Sequence, residues 1–515
     1  MKQFSALLQP GKIGTLQLKN RIIMSAMGTA LADESGRVTD RMVTYYAARA
    51  KGGAGLVTPQ FAAVSRDSAF AYTLPLFDDS RIADWRRIAD AVHGAGSKFS
   101  LQLMHVGLIL LYSGILPEGA SILVPSMASW MGPDRPYREL TEKDIDRYVN
   151  DFVAAAVRAK AAGADVIELH ACHGCLVSSF LSPLINRRQD QYGGNVENRT
   201  RFARLIVEGI KREVGKEFPL SVRINCSDGI DGGLTVEEAA QQARILEAAG
   251  ADAVSVSGGL EFWSTLSVPS YPYPEGPMVL MAEKIKKSVK VPVIVAGKVN
   301  AELGDKVISE GKVDFIAMGR PLLADPELPN KIREGRVDDL RRCIYCNNCL
   351  KSATDAAAGP MSCTVNPFVA REAKYPLKPA AKPKKVMVVG GGLAGMEMAM
   401  YLTERGNPVA LYAKENELGG QWNIACALPG KKGYAALTDY LKRWLKKNGA
   451  EIHLGTAVTR EMVLQKKPDA VVVATGAFPV GLNVPGIDLP HVIQGHDFIA
   501  GKAQARGRKG GVGGR

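Results

Sequence analysis

From the N-terminus to about residue 336, short runs of β-branched and other apolar residues alternate with longer stretches whose apolar positions recur at helical spacing. The runs fall at 21–27, 55–64, 99–105, 165–172, 219–226, 253–259, 291–299 and 315–321. Two helical stretches end in the steps Ala161-Ala162-Gly163-Ala164-Asp165 and Ala248-Ala249-Gly250-Ala251-Asp252, where the glycine suits the position just after a helix and just before a buried strand. Eight such units predict a (β/α)8 TIM barrel over residues 1–336, with chemistry at the C-terminal ends of the strands. The connection 106–140, after the third strand, carries Gly, Pro and Trp and is predicted to form part of a lid.

The pattern changes near the end of the barrel. Residues 337–370 hold a cysteine-rich segment, and 371–385 are rich in Lys, Pro and Ala, as an inter-domain linker is. The apolar run 386–389 then leads straight into Gly390-Gly391-Gly392-Leu393-Ala394-Gly395 and a helical stretch over 396–405. This strand, G-x-G-x-x-G turn and helix predict a Rossmann-like dinucleotide-binding domain over 386–502, with Gly390, Gly392 and Gly395 at the phosphates. An acidic residue is expected about twenty residues on to bind ribose. Residues 503–515 are Arg/Gly-rich without apolar periodicity and read as a disordered or frame-shifted tail.

Polar residues cluster where the predicted barrel strands end. Gln102 and His105 close the third strand, His170 and His173 the fourth, followed by Cys175, and Arg223 and Asn225 the fifth. Gly297 and the pair Gly319-Arg320 end the seventh and eighth, where such barrels bind phosphate through backbone N–H groups and a cation. A single strand-end histidine is more often structural than catalytic; two of them with Gln102 and Arg223 on neighbouring strand ends read as a functional cluster. An arginine placed beside a flavin would stabilise its anionic reduced ring.

Cys343, Cys346 and Cys349 stand at two-residue gaps, and Cys363 follows from a later loop. Four thiolates so placed can converge on one soft metal centre. The spacing is nearer to an iron–sulfur cluster than to a zinc finger, whose ligands come as two separated pairs. A structural zinc or free buried thiols remain open at this point.

Composition narrows the function classes. The 515 residues suffice for two or three domains, and 46% hydrophobic residues is ordinary for a globular enzyme. No apolar run reaches eighteen residues, so no membrane span is predicted, and the N-terminus lacks a secretory signal. Eight cysteines in so long a chain do not make a disulfide framework; a cytoplasmic location is expected. The net charge of +13 sits largely in the linker and tail rather than in a basic stripe with aromatics, which argues against nucleic acid. Attraction to phosphorylated or CoA-bearing substrates fits it.

The segments Asn20-Arg21-Ile22, Gln102-Leu103-Met104-His105-Val106-Gly107, Phe180-Leu181-Ser182-Pro183, Asn186-Arg187-Arg188, Asp190-Gln191-Tyr192-Gly193-Gly194 and Glu197-Asn198-Arg199 resemble the old yellow enzyme family. With the cysteine cluster and the following flavin domain, the resemblance is closer to bacterial 2,4-dienoyl-CoA reductase, 2-enoate reductase and trimethylamine dehydrogenase. It implies FMN in the barrel, held by the Ala26–Met27 backbone, Gln102, Arg223, Gly297, Gly319 and Arg320. It also implies a 4Fe–4S cluster on Cys343, Cys346, Cys349 and Cys363, and a substrate carbonyl gripped by His170 and His173.

Hydride from FMN would then reduce the C=C bond of an α,β-unsaturated carbonyl compound, an enoate or enoyl-CoA ester. The family's His-Gly-Tyr reads His173-Gly174-Cys175 here, which puts Cys175 in the place of the proton donor. No histidine occupies 262–277, where dienoyl-CoA reductases carry a second acid. Ser25-Ala26-Met27 offers no cysteine for covalent FMN, so a non-covalent flavin is expected.

In the second domain, Gly419-Gly420-Gln421 and Val473-Ala474-Thr475-Gly476 fit the family's FAD module. Ala413 stands where the ribose-binding glutamate is usual, and Glu415 follows two residues later. Relatives interrupt this module with an NAD(P)H domain. The chain reads as truncated at that insertion, which predicts weak FAD binding or none, and poor reduction by NAD(P)H. The competing readings are an amine dehydrogenase, for which Trp263, Tyr271 and Tyr273 could supply a cation-binding cage, and a non-catalytic flavoprotein or electron-transfer subunit. A homo-oligomer or a separate electron-donor protein is compatible with either.

Overall fold

The computed structural model describes residues 4–68, 73–112, 121–261, 263–354, 360–375, 377–481, 483–487 and 489–504. The chain divides into two compact units, Met1–Val337 with Tyr345–Tyr375, and Asp338–Ile344 with Pro376–Arg515. The cysteine-rich segment is therefore shared: residues 345–375 pack with the first unit and 338–344 with the second.

The first unit is a closed barrel of eight parallel strands: β1 (Ile22–Met24), β2 (Leu56–Val57), β3 (Lys98–Met104), β4 (Val166–Ala171), β5 (Leu220–Asn225), β6 (Ala253–Ser257), β7 (Val293–Ala296) and β8 (Phe315–Met318). Each pairs with its successor, and β8 pairs with β1 to close the ring. All eight lie inside or against the expected runs. The second run, 55–64, is broken: β2 stops at Val57, and Ala62–Ala63 pairs separately with β3. Pro59, which has no N–H to donate, stands between them, and the Gln60 N–H is taken by the Tyr46 hydroxyl at 2.9 Å.

The outer helices begin at side-chain caps. Thr141 opens α1 (Glu142–Ala161) and Thr235 opens α3 (Val236–Ala248) in reciprocal capping boxes with Asp144 and Glu238, while Asn195 caps α2 (Val196–Val214). Gly163 and Gly250, at φ of +96° and +114°, turn α1 and α3 into the next strands, as the Ala-Gly-Ala steps anticipate.

An antiparallel hairpin, Gly11–Ile13 with Leu16–Leu18, closes the floor of the barrel. Its Ile13 and Leu18 pack with Ile23, Leu56, Val166, Ala253, Ile294 and Phe315. With one end stopped by apolar side chains, the polar strand residues collect toward the other end. The 106–140 connection is built as a 3-10 turn (Gly107–Tyr112) and a pair of short strands, Ile122–Val124 with Tyr137–Glu139. Ile122, Val124 and Met131 pack against Leu108, Ile185 and Leu260, so the expected lid is anchored to its base; residues 113–120 lie outside the described residues.

One buried cation ties the barrel to the chain that follows the cysteines. Arg49, on Asp40–Lys51, is fully buried. Its Nε donates to the Leu322 carbonyl at 3.2 Å, its Nη1 donates to the Tyr45 carbonyl at 2.9 Å and to Glu372, and its guanidinium lies 3.8 Å from the Tyr45 ring centroid. Arg49→Met leaves the half-shielded Glu372 carboxylate without its partner. A loss of about 3 kcal/mol is expected, read as a lower denaturant midpoint for the first unit.

In the second unit a parallel sheet of β9 (Val386–Val389), β10 (Val409–Tyr412), β11 (Glu451–His453) and β12 (Ala470–Val473) has the order β11-β10-β9-β12. The helix Leu393–Glu404 follows β9 directly through the glycine turn. This is the Rossmann-like half expected from the sequence. Of the 503–515 tail, residues 505–515 lie outside the described residues.

Candidate active site

Period-2 alternation decides what faces the inside of the barrel. On β4, Glu168 and His170 share one face; on β5, Ser221, Arg223 and Asn225 do; on β6, Ser255 and Ser257. The register pairs Glu168 with Gln102 and with Ser221, His170 with Arg223, and Asn225 with Ser257. The polar residues thus stack in adjacent layers rather than scattering around the ring. Gln102 donates from Nε2 to Glu168 Oε1 at 2.7 Å, both side chains buried. Burial pushes the Glu168 carboxyl upward, opposed by Arg223 and by hydrogen bonds from Gln102 and Ser255.

His170 and His173 come together as expected, with ring centroids 5.3 Å apart. His173 holds a left-handed backbone, φ +65°, fixed by its N–H donating to Asn225 Oδ1 at 3.1 Å and by a bridge to Leu260. Its Nε2 is 2.7 Å from Ser257 Oγ. Arg223 reaches Ser257 Oγ with Nη2 and Ser25 Oγ with Nη1, each at 3.2 Å. Burial, reinforced by the Arg223 cation, lowers the His170 pKa to about 3 and that of His173 well below its usual value. Both imidazoles are neutral at physiological pH. Arg223 Nε is buried without a partner, a donor left over for a bound anionic or carbonyl-bearing group.

Ala26 and Met27 follow β1, with Met27 Sδ where a side chain on Gly319 would fall, 2.6 Å from its Cβ position. Gly297 ends β7. Arg320 is engaged from Nη1 by the Pro269 carbonyl and by Asn347 Oδ1, both at 2.6 Å, and so anchors the cysteine segment. His105 lies 3.3 Å from Asp67 and edge-on to Tyr148, a structural position.

Cys175 needs correction. Its thiol is fully buried 3.4 Å from Met104 Sδ, in an apolar cluster with Val106 and Leu110, and burial pushes its pKa far up. Such a thiol packs as a small hydrophobe and is poorly placed to hand over a proton. Trp263 stacks edge-on to Trp130 at 4.8 Å, and the Tyr271 carbonyl accepts from Lys298 Nζ at 2.9 Å, as does that of Tyr273.

Three residues escaped the sequence reading. Glu168 stands two residues before His170 on the same face of β4, and Ser257 is paired with Asn225 across β5 and β6. Glu261 carries a weaker signal, a lone acid after Gly258-Gly259-Leu260. Its N–H donates to the His173 carbonyl at 3.0 Å, and burial pushes its carboxyl up to about 7 despite Arg223.

Within the first unit, Cys346, Cys349 and Cys363 are half-buried. Ser352 Oγ donates to the Cys349 carbonyl at 3.2 Å and accepts from the Ser362 N–H at 2.9 Å, which draws the turn of Cys349 to the loop of Cys363. Cys346 Sγ lies 3.3 Å from Thr364 Oγ1. Burial and then the neighbouring Cys363 and Cys346 thiolates push the Cys349 pKa to about 11, with Arg320 opposing. Thiols that repel one another as anions are a donor set that a multivalent cationic cluster satisfies. Two hydrogen bonds join this loop to the barrel: Met361 N–H to the Thr29 carbonyl at 3.1 Å, and Arg320 to Asn347. Cys343 falls in the 338–344 stretch.

In the second unit the glycine loop is assembled. Gly392 bridges Gly419, and the Gly419 N–H donates to the Gly391 carbonyl at 2.8 Å. Gly390, Gly395 and Gly420 line the same turn, and Gln421 Nε2 donates to the Ala477 carbonyl. Glu415 is half exposed, 3.8 Å from Lys414 Nζ.

Two family models match this chain: NADH:flavin oxidoreductase / NADH oxidase over residues 6–339, and pyridine nucleotide-disulphide oxidoreductase over 384–509, beyond the expected end of the FAD-type fold at 502. A NADH oxidase of Thermoanaerobacter brockii is 41% identical, covering 98% of this chain and 78% of the relative. A cinnamate reductase of Clostridium sporogenes is 36% identical over 94% of this chain and 76% of its own length. A solved 2-naphthoyl-CoA reductase, in complex with 2-naphthoyl-CoA, superimposes with a TM-score of 0.92 at 32% identity, over 98% of this chain and 78% of that one. No helix among the described residues is long and apolar enough to cross a membrane. The chain is thus an oxidoreductase of the NADH:flavin oxidoreductase / NADH oxidase family, an FMN-type TIM barrel followed by a pyridine nucleotide-disulphide oxidoreductase domain.

Proposed function

We propose that the barrel reduces the C=C bond of α,β-unsaturated carbonyl compounds of the enoate or enoyl-CoA class. The observation that carries this is the neutral His170–His173 pair, 5.3 Å apart beside Arg223 and its unpartnered Nε. FMN, when bound, supplies the hydride; Gln102, Arg223, the Ala26–Met27 backbone, Gly297 and Gly319 are its proposed holders. The two imidazoles hold the substrate's carbonyl oxygen by N–H donation and so draw charge away from the β-carbon. Ser257 Oγ, itself held by Arg223, fixes the ring of His173 through Nε2. Neutral rings suit this role, because they polarise the carbonyl without transferring a proton to its oxygen.

The α-carbon needs a proton. Glu261, whose N–H donates to the His173 carbonyl at 3.0 Å and whose carboxyl burial pushes up to about 7, is proposed as its source in place of Cys175. Glu261→Gln is expected to lower turnover of an enoate by about 100-fold while FMN content is unchanged, measured under anaerobic steady state.

Cys343, Cys346, Cys349 and Cys363 are proposed as ligands of a 4Fe–4S cluster. The reading is supported by their spacing and by the mutual influence of the three thiols in the first unit. The names of two relatives, a cinnamate reductase and a 2-naphthoyl-CoA reductase, point to the same substrate class. Titrating the dithionite-reduced protein with an enoate, an enoyl-CoA and a secondary amine tests the reading: reoxidation by the first two supports it, and no response to either overturns it.

A further inference from the structure

We infer that His170, Cys172 and His173 form a binding site for a borderline-soft cation, typified by Zn2+, and that an ion there displaces the substrate's carbonyl group. The three side chains offer one ligand atom each within 4.8 Å of one another. Cys172 Sγ is 3.5 Å from His173 Nδ1 and 3.6 Å from His170 Nδ1. A tetrahedral ion with Zn–S of about 2.3 Å and Zn–N of about 2.0 Å holds S and N about 3.5 Å apart. The sulfur is also 3.8 Å from His170 Nε2, so a turn of that ring about its Cβ–Cγ bond aims a nitrogen at the shared ion.

The surroundings bear on ligation in two ways. Ser257 Oγ, 2.7 Å from His173 Nε2, can accept from or donate to that nitrogen. It therefore steadies the ring in either tautomer, Nδ1–H for a substrate oxygen or an Nδ1 lone pair for an ion, as outer-shell partners of metal-bound histidines do. Arg223 near the sulfur opposes a cation, which the three converging ligand atoms have to outweigh. Binding exchanges the Cys172 S–H bond for a Zn–S bond and releases the proton to water, with no change of oxidation state. Three protein ligands leave the fourth position open. Two imidazoles and one thiolate select Zn2+, Cd2+ or Cu+ over Mg2+ or Ca2+.

The inhibition rests on the histidine pair being the substrate clamp; the binding does not. The test titrates Zn2+ anaerobically into FMN- and cluster-loaded protein, comparing wild type with Cys172→Ala and Ser257→Ala by calorimetry and zinc-edge X-ray absorption. Wild type is expected to take up one equivalent more than Cys172→Ala, with one sulfur and two nitrogens around the ion. Ser257→Ala is expected to bind about 10–100-fold more weakly. Cys172→Ala should reduce an enoate at the wild-type rate yet resist zinc, whereas zinc should inhibit the wild type competitively and chelator should reverse it. Equal zinc uptake by wild type and Cys172→Ala, or an all-sulfur shell, would overturn the site. Loss of enoate reduction without zinc would instead count against the substrate reading alone.

Discussion

Replacing His170 and His173 together with alanine should stop alkene reduction while leaving FMN bound. Each ring offers one preorganised donor to an oxygen on which charge develops as hydride arrives, and removal of one such donor typically costs about 10²–10³-fold in kcat. The two single variants are each expected in that range. The double variant should lose less than the product of the two, because the rings share one substrate atom and one support, Ser257. Gln102, held by Glu168, and Arg223, held by Ser25 and Ser257, do not depend on either ring. Flavin content and the visible spectrum should therefore stay at wild-type values. A fall in FMN content matching the fall in rate would assign the histidines to cofactor binding instead.

The second large effect is steric. A Cβ on Gly395 would lie 1.9 Å from the Gly390 carbonyl oxygen and 3.0 Å from its carbon. Both atoms are backbone, so no side chain can swing away. Gly390 cannot retreat either: it has φ of +121°, and its own missing Cβ would stand 2.1 Å from the Ala474 carbonyl oxygen, at the end of β12. The only relief is to lift the helix Leu393–Glu404 off β9, which opens the turn meant for phosphates. Gly395→Ala should abolish hydrogen-exchange protection across β9 and that helix, and with it whatever dinucleotide binding the second unit has. The barrel should keep its FMN and its protection. Wild-type protection across β9 would show that the turn is more compliant than its contacts imply.

The eight barrel strands could be read from the sequence because strands buried on both faces are continuous apolar runs, and because the Ala-Gly-Ala steps mark where helices stop. The break in 55–64 could not, since it depends on where Pro59 and Gln60 fall relative to Tyr46, a residue on another element. The meeting of His170 and His173 at the end of β4 was legible. Glu168 was not recognised, although it sits two residues before His170 on the same face, because a single acid within an apolar run gives no spacing motif. Glu261 and Ser257 become functional candidates only through contacts with His173, which lies more than eighty residues away in the chain. Cys175 failed in the opposite sense: its position in the His-Gly-Tyr pattern suggested an acid, and the apolar cluster around Met104 makes it packing. Motif position names a place in the fold; the neighbours decide what a residue there can do.

The proposed C=C reduction takes place in the barrel, at the His170–His173 pair. Single turnover of the anaerobic, dithionite-reduced protein with excess enoate tests it most directly. The prediction is that FMN in the wild type reoxidises with formation of one equivalent of saturated acid, while His170→Ala/His173→Ala stays reduced and forms none. Equal rates of FMN reoxidation and product formation in the two proteins would contradict it.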